Sequence, residues 1–452
     1  MTTDVARSRV LILTPDVISR QMAGPAIRAF EMARALDSTA DVRLVSTQRT
    51  EPIGAPFPVH HASDSELREH ADWADVVIFQ GHILDSHPWL TDPRYVLVAD
   101  IYDPMHLEVL EQAKAEKFED RVWISAHTAE VLNVQIERAD YMLCASEKQR
   151  DFWLGQLAAM NRINPLTYDD DVSLRTLLDV VPFGLPDERP VQRVHGIKGA
   201  VPGIRESDKV ILWGGGLYNW FDPLTLLRAV AGLSEEHSDL RLFFLGGKHP
   251  NANVPAMRMA AEARSLADEL GLLGSVVFFH EEWVPYESRA DFLLDADVGV
   301  STHFNHLETA FSFRTRILDY LWAGLPIVST TGDTFAGLVE REGLGLVVPP
   351  EDVDALQRAL VQVLYDDDSR MLMTERVART AAAMTWTSVL QPLVAFCTSP
   401  RKAPDNAHGV VSVRTRQRLD LEKRIDGIER STSWKVTAPL RAVVTALNRR
   451  RR

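Results

Sequence analysis

Short, nearly continuous runs of apolar residues recur along the chain and alternate with longer stretches of mixed character. Such runs, without strict polar–apolar alternation, are typical of parallel strands buried on both faces of a sheet. In the first half they predict strands at residues 9–13, 42–46, 76–80, 95–99, 141–145 and 179–183. In the second half they predict strands at 209–213, 240–244, 275–279, 298–301, 326–329 and 345–349. Six strands on each side of a midpoint favour two doubly wound α/β domains facing across a cleft over an eight-unit barrel.

A segment rich in proline and glycine, near residues 185–207, marks this midpoint in a chain of 452 residues. We therefore expect a Rossmann-like domain over 1–187, a linker over 188–208, a second Rossmann-like domain over 209–384, a closing helix over 385–398, and a basic linker, helix and amphipathic tail over 399–452. The proline, asparagine and glycine residues between 399 and 413 predict a flexible connection. Two facing domains of this kind enclose a cleft at the carboxyl ends of their strands.

The composition is typical of a globular protein without a disulfide framework or a membrane-spanning segment. Hydrophobic residues make up 46% and charged residues 25% of the chain, as in soluble globular proteins. The two cysteines, Cys144 and Cys397, argue against a disulfide framework and fit a reducing cytoplasm. No run approaches the roughly 18 apolar residues of a membrane span, and the N-terminus shows no long apolar signal core.

Charge is distributed unevenly along the chain. The net charge is −14, yet residues 401–452 hold 14 basic and 5 acidic residues. An acidic body disfavours nucleic acid as a partner, whereas a basic tail attracts anionic surfaces. Residues 414–430 predict an exposed or self-associating helix, and residues 431–452, with Trp434 and six basic side chains, predict contact with an anionic membrane surface. The alternative for this tail is a disordered, solubilising segment.

The segment LETAFSFRTRILDYLWAGLPIVST, residues 307–330, places two acids on either side of two arginines. Glu308 stands first, and Asp319 precedes an apolar turn. Arg314 and Arg316 lie between them. Arginine binds phosphate bidentately and carboxylates accept hydrogen bonds from sugar hydroxyls, so the segment suits a nucleotide sugar. The alternative is a solvated, charged start of a helix.

The predicted strand 209–213 runs into three consecutive glycines, Gly214, Gly215 and Gly216. Because this turn carries no Cβ atoms, a diphosphate could approach its backbone N–H groups. The spacing is not G-x-G-x-x-G, which disfavours a nicotinamide enzyme. Lys248, after the next predicted strand, is a candidate phosphate ligand. The alternatives are a tight packed turn and a solvated loop lysine.

Polar residues also follow predicted strands of the N-terminal half. His82 lies two residues beyond strand 76–80, and Asp103 follows strand 95–99. Both are candidates for an acid, base or hydroxyl-binding group at the cleft, while a lone histidine can equally be a surface or capping residue. The histidines show no metal-ligand spacing, and HExxH, G-x-S-x-G and P-loop motifs are absent. Metal hydrolysis, acyl hydrolysis and NTP cleavage are therefore disfavoured.

These residues resemble the retaining nucleotide-sugar glycosyltransferases of family 4, which have the GT-B fold. The resemblance spans roughly residues 9–398 and is carried by Glu308, Asp319 and the turn Ala323-Gly324-Leu325-Pro326. Further similar segments are VVPFGLP at 180–186 and LGLVVPPEDVDAL at 344–356. SWKVTAPLR in the tail resembles a motif attached to bacterial polysaccharide glycosyltransferases.

The resemblance implies an acceptor site in the N-terminal domain and a donor site in the C-terminal domain. Asp319 would bind the ribose hydroxyls and Glu308 the hydroxyls of the donor sugar, with the glycine turn against the diphosphate. His82, or a group near Asp103, would face the transferred sugar.

Two departures from the family pattern stand out. The acids are eleven residues apart, where the family usually has eight. The turn GGGLYNWF also lacks the usual arginine and lysine, so Arg314, Arg316 or Lys248 is expected to supply positive charge.

The implied reaction moves a hexose from a nucleoside-diphosphate sugar to a glycan or lipid-linked glycan, with retention, in cell-surface polysaccharide biosynthesis. It needs neither a cofactor nor a metal, because backbone N–H groups and arginines can stabilise the leaving diphosphate. The expected location is the cytoplasm, peripherally attached to the inner face of the membrane. The alternatives are a nucleotide-sugar epimerase and a catalytically inactive, membrane-tethered scaffold.

Overall fold

The computed structural model describes residues 7–247, 257–410 and 413–438. The strands are β1 (Arg9–Thr14), β2 (Asp41–Ser46), β3 (Val59–His61), β4 (Val76–Gln80), β5 (Leu97–Asp100), β6 (Tyr141–Cys144), β7 (Leu178–Val180), β8 (Lys209–Trp213), β9 (Leu240–Phe244), β10 (Val277–Phe279), β11 (Val298–Ser301), β12 (Ile327–Thr330) and β13 (Gly345–Val348).

The helices of the N-terminal half are α1 (Gly24–Leu36), α2 (Asp64–Trp73), α3 (Ile83–Ser86), α4 (Met105–Gln112), α5 (Phe118–Arg138), α6 (Glu147–Ala159) and α7 (Pro165–Asp170). Those that follow are α8 (Pro223–Glu236), α9 (Arg258–Glu269), α10 (Arg289–Leu293), α11 (Leu307–Phe311), α12 (Thr315–Ala323), α13 (Thr334–Glu342), α14 (Val353–Tyr365), α15 (Asp367–Ala381), α16 (Trp386–Val389), α17 (Gln391–Thr398), α18 (Pro404–Ala407), α19 (Val413–Arg430) and α20 (Thr432–Val436).

The described strands form two parallel sheets. One has the order β3-β2-β1-β4-β5-β6-β7 and the other β10-β9-β8-β11-β12-β13. In both, the strand order reverses beside the first strand of the domain, and ligands of open α/β sheets bind outside the carboxyl ends of strands at that point. The prediction of two doubly wound domains is confirmed, and each predicted strand matches an observed one.

The edge strand β3 was not predicted. It pairs in parallel with β2, and its residues Val59, His60 and His61 are half-buried or exposed. A three-residue strand at a sheet edge packs few side chains, so it leaves no apolar run in the sequence.

The strand β1 shows why a strand buried on both faces appears in the sequence as a continuous run of apolar residues. Val10 and Ile12 belong to the core on one face of the sheet, and Leu11 and Leu13 to the core on the other. All four side chains are at most 1% exposed. Burying a leucine or isoleucine contributes about 2 kcal/mol, so both faces select apolar residues.

The predicted closing helix corresponds to α16 and α17, which return the chain to the N-terminal domain. Leu185 N–H donates to the Met384 carbonyl, and Trp386 N–H donates to the Leu185 carbonyl, each at 2.8 Å. The ring of Phe396 in α17 stacks on Tyr141 with centroids 4.6 Å apart. These contacts hold the end of the second domain against the first.

The connection predicted to be flexible is instead packed on the N-terminal domain as far as residue 410. Asp405 is fully buried and pairs with Arg162, with Nε 2.7 Å from Oδ2. Ala403 N–H and the Asn406 amide both donate to Asp140 Oδ1, at 3.1 and 2.9 Å. The prediction of flexibility was wrong here because residues typical of linkers serve as partners for buried polar groups.

The helix predicted within residues 414–430 is present as α19. Its side chains Leu421, Ile425 and Ile428 are more than half exposed and recur at helical spacing. Residues 439–452, which make up most of the predicted membrane-contacting segment, lie outside the described residues. No helix in the described part of the chain is long and apolar enough to cross a membrane.

Candidate functional site

A cavity of about 510 Å³ lies between the carboxyl edges of the two sheets. The N-terminal domain contributes the loop after β1, the start of α1 and the segment around Asp103 and Glu108. The C-terminal domain contributes the turn after β8, the segment from Ser312 to Asp319, and Arg289. The cavity therefore lies where the strand orders predict a ligand.

The turn Gly214–Gly216 follows β8 and lines this cavity. Gly215 has a φ of +79°, a conformation that glycine adopts without strain. The buried hydroxyl of Tyr320 accepts a hydrogen bond from Gly214 N–H at 2.8 Å and lies 2.9 Å from the Val300 carbonyl, to which it donates. The turn is thus held by a side chain of α12, a helix of the same domain.

Arg316 lies beside the same turn, in the first turn of α12. Its guanidinium carbon is 4.3 Å from the centre of the Trp213 ring and 4.2 Å from that of Phe221, and Nη2 donates to the Gly216 carbonyl at 2.9 Å. Burial lowers its pKa to about 10. Among the described residues, the buried Nη1 has no hydrogen-bond partner. The wall of the cavity therefore contains a nearly buried cation whose hydrogen-bonding capacity is only partly used by the described residues.

Glu308 and Arg314 form a bidentate ion pair at the cavity wall. Arg314 Nη1 donates to Oε1 at 2.9 Å and Nη2 to Oε2 at 2.7 Å. Both side chains are nearly buried. The pair forms because α11 ends at Phe311 and the chain turns through Ser312 before α12 begins, which brings Arg314 back over Glu308. Arg314 is therefore neutralised by Glu308.

Asp103 and Glu108 face this pair from the N-terminal domain. The Glu108 carboxyl hydrogen-bonds to Asp103. Burial raises the pKa of Asp103, and burial together with the negative charge of Asp103 raises the pKa of Glu108 well above its usual range. Glu108 is therefore the more easily protonated member of the pair, and the two carboxyl groups together can bind a hydroxyl group.

Asp319 connects the site to a chain of contacts that crosses the cleft. Arg289 Nε lies 3.0 Å from Asp319 Oδ1, and its guanidinium carbon is 3.7 Å from the centre of the Tyr286 ring. The Tyr286 hydroxyl donates to Glu31 of α1 at 2.9 Å. Trp283 Nε1–H donates to the Met22 carbonyl at 3.1 Å. The loop before α10 thus bridges the two domains at the cavity.

The structure brings together most of the residues predicted from sequence. The cavity is lined by Asp103, Gly214, Gly215, Gly216, Glu308, Arg314, Arg316 and Asp319. Lys248 lies outside the described residues. His82 does not line the cavity: its ring faces His127 of α5, with centroids 6.3 Å apart. The expectation that His82 faces the cleft was therefore wrong, because the helix that follows β4 turns this side chain toward α5.

Sequence reasoning missed Arg289, Tyr286 and Glu108. Arg289 and Tyr286 belong to the segment WVPYESR, whose Pro285 and aromatic residues mark a loop but give no spacing relative to Asp319. Glu108 lies five residues after Asp103 in α4, where it reads as an ordinary exposed helical acid. Only the packing of distant segments assigns these residues to the site.

The sequence matches a protein family in its C-terminal half and matches curated relatives over just under half of its length. Residues 208–366 match the family described as "Glycosyl transferases group 1". The D-inositol 3-phosphate glycosyltransferase of Corynebacterium urealyticum is 31% identical over 212 residues, which is 46% of this chain and 47% of that protein. That of Corynebacterium glutamicum is 28% identical over 194 residues, 42% of this chain and 43% of that protein. The chain spans about half the length of the curated relatives it matches.

Solved structures match over both domains. The Anabaena protein HepE in complex with UDP-glucose has a TM-score of 0.62 and 13% identity, covering 87% of this chain and all of that one. Sucrose-phosphate synthase from Thermosynechococcus elongatus has a TM-score of 0.61 at 16% identity, covering 86% of this chain and 98% of that one. WaaG, a glycosyltransferase involved in lipopolysaccharide biosynthesis, has a TM-score of 0.60 at 16% identity, covering 86% of this chain and all of that one. The protein has the GT-B fold.

Proposed function

We propose that the protein is a metal-independent glycosyltransferase that moves a hexose from a nucleoside-diphosphate sugar to a glycan or lipid-linked glycan. The proposal rests chiefly on the Arg316 guanidinium, which lines the cavity beside the Gly214–Gly216 turn and has one buried nitrogen without a hydrogen-bond partner among the described residues. A buried cation without its full set of partners costs free energy, which a bound anion would recover. A diphosphate supplies that anion.

The donor would lie along the C-terminal wall of the cavity. Its diphosphate would lie against both the glycine turn and Arg316, which are already in direct contact, and Asp319 would accept hydrogen bonds from the ribose hydroxyls. Glu308 would accept hydrogen bonds from the donor sugar through Oε1, which accepts one bond from Arg314 and keeps a second lone pair. Asp103 would face the transferred sugar from the opposite wall.

The proposed chemistry depends on stabilising the leaving group. When the sugar–phosphate bond breaks, negative charge develops on the diphosphate oxygen, where backbone N–H groups and Arg316 would stabilise it. That oxygen would accept the proton of the acceptor hydroxyl as the new glycosidic bond forms on the same face of the sugar. Retention would follow without the nucleophilic carboxylate that most retaining glycosidases use. Contacts across the cleft, such as that between Tyr286 and Glu31, would help to exclude water.

We further propose that the acceptor belongs to cell-surface polysaccharide biosynthesis and that the enzyme works at the inner face of the membrane. The basic segment 431–452 supports this proposal, since each basic residue near an anionic lipid surface contributes about 1 kcal/mol. The exposed apolar side chains of α19 suit self-association of residues 414–430 or contact with the same surface.

The first test is a binding panel of UDP, GDP, dTDP and their common sugar conjugates, read by thermal shift and calorimetry. A donor at one hundred times its dissociation constant should stabilise the fold by about 2.7 kcal/mol. Arg316→Met and Asp319→Asn should weaken binding at least tenfold. Asp354→Asn, which alters an exposed acid in α14 outside the cavity, is the matched control and should bind as the wild type does.

The two alternatives predict different results. An epimerase would convert the sugar of the bound nucleotide sugar without any acceptor, which product analysis by NMR detects. An inactive scaffold would fold normally yet bind none of the panel at millimolar concentration. Either result would overturn the proposal, as would equal weakening by Asp354→Asn.

A further inference from the structure

Three side chains that commonly bind metals converge on the N-terminal domain, outside the residues that line the cleft cavity. They are His82, Asp85 and His127, and one ligand atom from each lies within 4.8 Å of those of the other two. His127 Nε2 is 3.3 Å from Asp85 Oδ2. The rings of His82 and His127 are 6.3 Å apart and inclined by 25°. The proposed sugar transfer uses none of these residues.

Two elements hold the group in place. His82 directly precedes α3, at its N-cap position, and Asp85 lies within this short helix three residues later. His127 projects from α5, and its ring stacks on Trp123 with centroids 5.0 Å apart and an inclination of 11°. Gln135 of α5 donates to the Gly81 carbonyl at 2.6 Å, which ties this helix to the residue before His82. The positions of the three side chains are therefore fixed by α3 and α5, which are tied together, and not by an unsupported loop.

The ligand types and spacing suit a first-row divalent metal. Tetrahedral Zn²⁺ takes histidine nitrogen and carboxylate oxygen at about 2.0–2.1 Å, which places ligand atoms about 3.3 Å from one another. The separation between His127 and Asp85 already has this length. Rotation of the His82 side chain would close the remaining gap.

We propose that His82, Asp85 and His127 bind a divalent first-row metal ion, with Zn²⁺ as the ion that their chemistry favours. Three protein ligands leave at least one coordination position open for water or an anionic oxygen. Asp85 and His127 also line a second cavity, of about 770 Å³, which gives such a ligand access. Sequence spacing alone could not reveal the site, because more than forty residues separate Asp85 from His127.

The test uses the full chain, freed of metal with EDTA and then desalted. Titration with ZnCl₂ by calorimetry should give one site per chain, and CoCl₂ should give the visible absorption of a four- or five-coordinate ion. His127→Gln and Asp85→Asn should each weaken Zn²⁺ binding at least tenfold and remove the Co²⁺ absorption. His237→Gln is the matched control, since this ring stacks on Tyr365 in the other domain.

Several results would overturn the proposal. One is Zn²⁺ binding that is equally tight in the wild type and in His127→Gln; another is a Co²⁺ spectrum of only the hydrated ion. His82→Gln provides a second variant if His127→Gln melts at a lower temperature than the wild type. Donor binding, measured on the same samples, should be unchanged in the metal-site variants, so failure here is distinct from failure of the proposed transferase function.

Discussion

The hydroxyl of Tyr320 is the feature of the candidate site whose removal gives the clearest prediction. The ring is fully buried, and its oxygen accepts from Gly214 N–H at 2.8 Å while lying 2.9 Å from the Val300 carbonyl and 3.1 Å from the Leu212 carbonyl. Tyr320→Phe keeps the ring and removes only these bonds. It leaves the buried Gly214 N–H without its phenolic acceptor.

The magnitude follows from this geometry. A buried donor left unsatisfied costs about 1–3 kcal/mol. For a domain of this size, about 2 kcal/mol corresponds to a fall in Tm of about 4–8 °C. Without the hydrogen bond from Gly214 N–H to Tyr320, the glycine turn would be less ordered in the free protein, and ordering it would reduce the free energy of donor binding. If this ordering costs about 1 kcal/mol, donor affinity falls roughly fivefold.

The assay pairs thermal denaturation with donor calorimetry on two variants that carry the same chemical change. Tyr365→Phe is the control, because its hydroxyl donates to Asp239 at 3.1 Å, outside the cleft. We expect the control to lose at most about 1 kcal/mol of stability, as partly exposed hydrogen bonds do, and to bind donor normally. If Tyr320→Phe melts no lower than Tyr365→Phe, the reasoning about the anchored turn is refuted.

Three further predictions concern other residues. Asp405→Asn should destabilise the chain by about 3 kcal/mol in urea unfolding, because it removes the carboxylate charge that pairs with the buried Arg162 guanidinium; an unchanged midpoint would contradict the docking of residues 399–410. Gly299→Ala should cost about 3 kcal/mol by the same measurement, since a Cβ there would lie 2.3 Å from Tyr320 Cγ. Glu108→Gln tests pH dependence. The folded pKa of Glu108 lies above its unfolded value, so its effect on stability is most favourable below the unfolded pKa and declines as the pH rises toward the folded pKa. The variant should therefore gain in Tm relative to the wild type between pH 5 and pH 8, and a constant difference would contradict the assignment.

The sequence alone determined the two-domain α/β architecture and much of the C-terminal half of the site. Strands such as β1 and β8 were predictable because burial on both faces demands a continuous apolar run. The Gly214–Gly216 turn was predictable because it follows such a strand directly. Glu308, Arg314, Arg316 and Asp319 could be grouped because they occupy one short segment of the chain.

The tertiary structure alone decided which of these groups pair. Arg314 is neutralised by Glu308, whereas Arg316 keeps a nitrogen without a partner among the described residues, although the two arginines are almost adjacent in sequence. Arg289 reaches Asp319 from a different segment, and His82 turns toward α5 rather than the cleft. The physical reason is that apolar periodicity and turn chemistry act between residues close together in the sequence. Ion pairs and burial depend on distant segments that only the folded chain brings together.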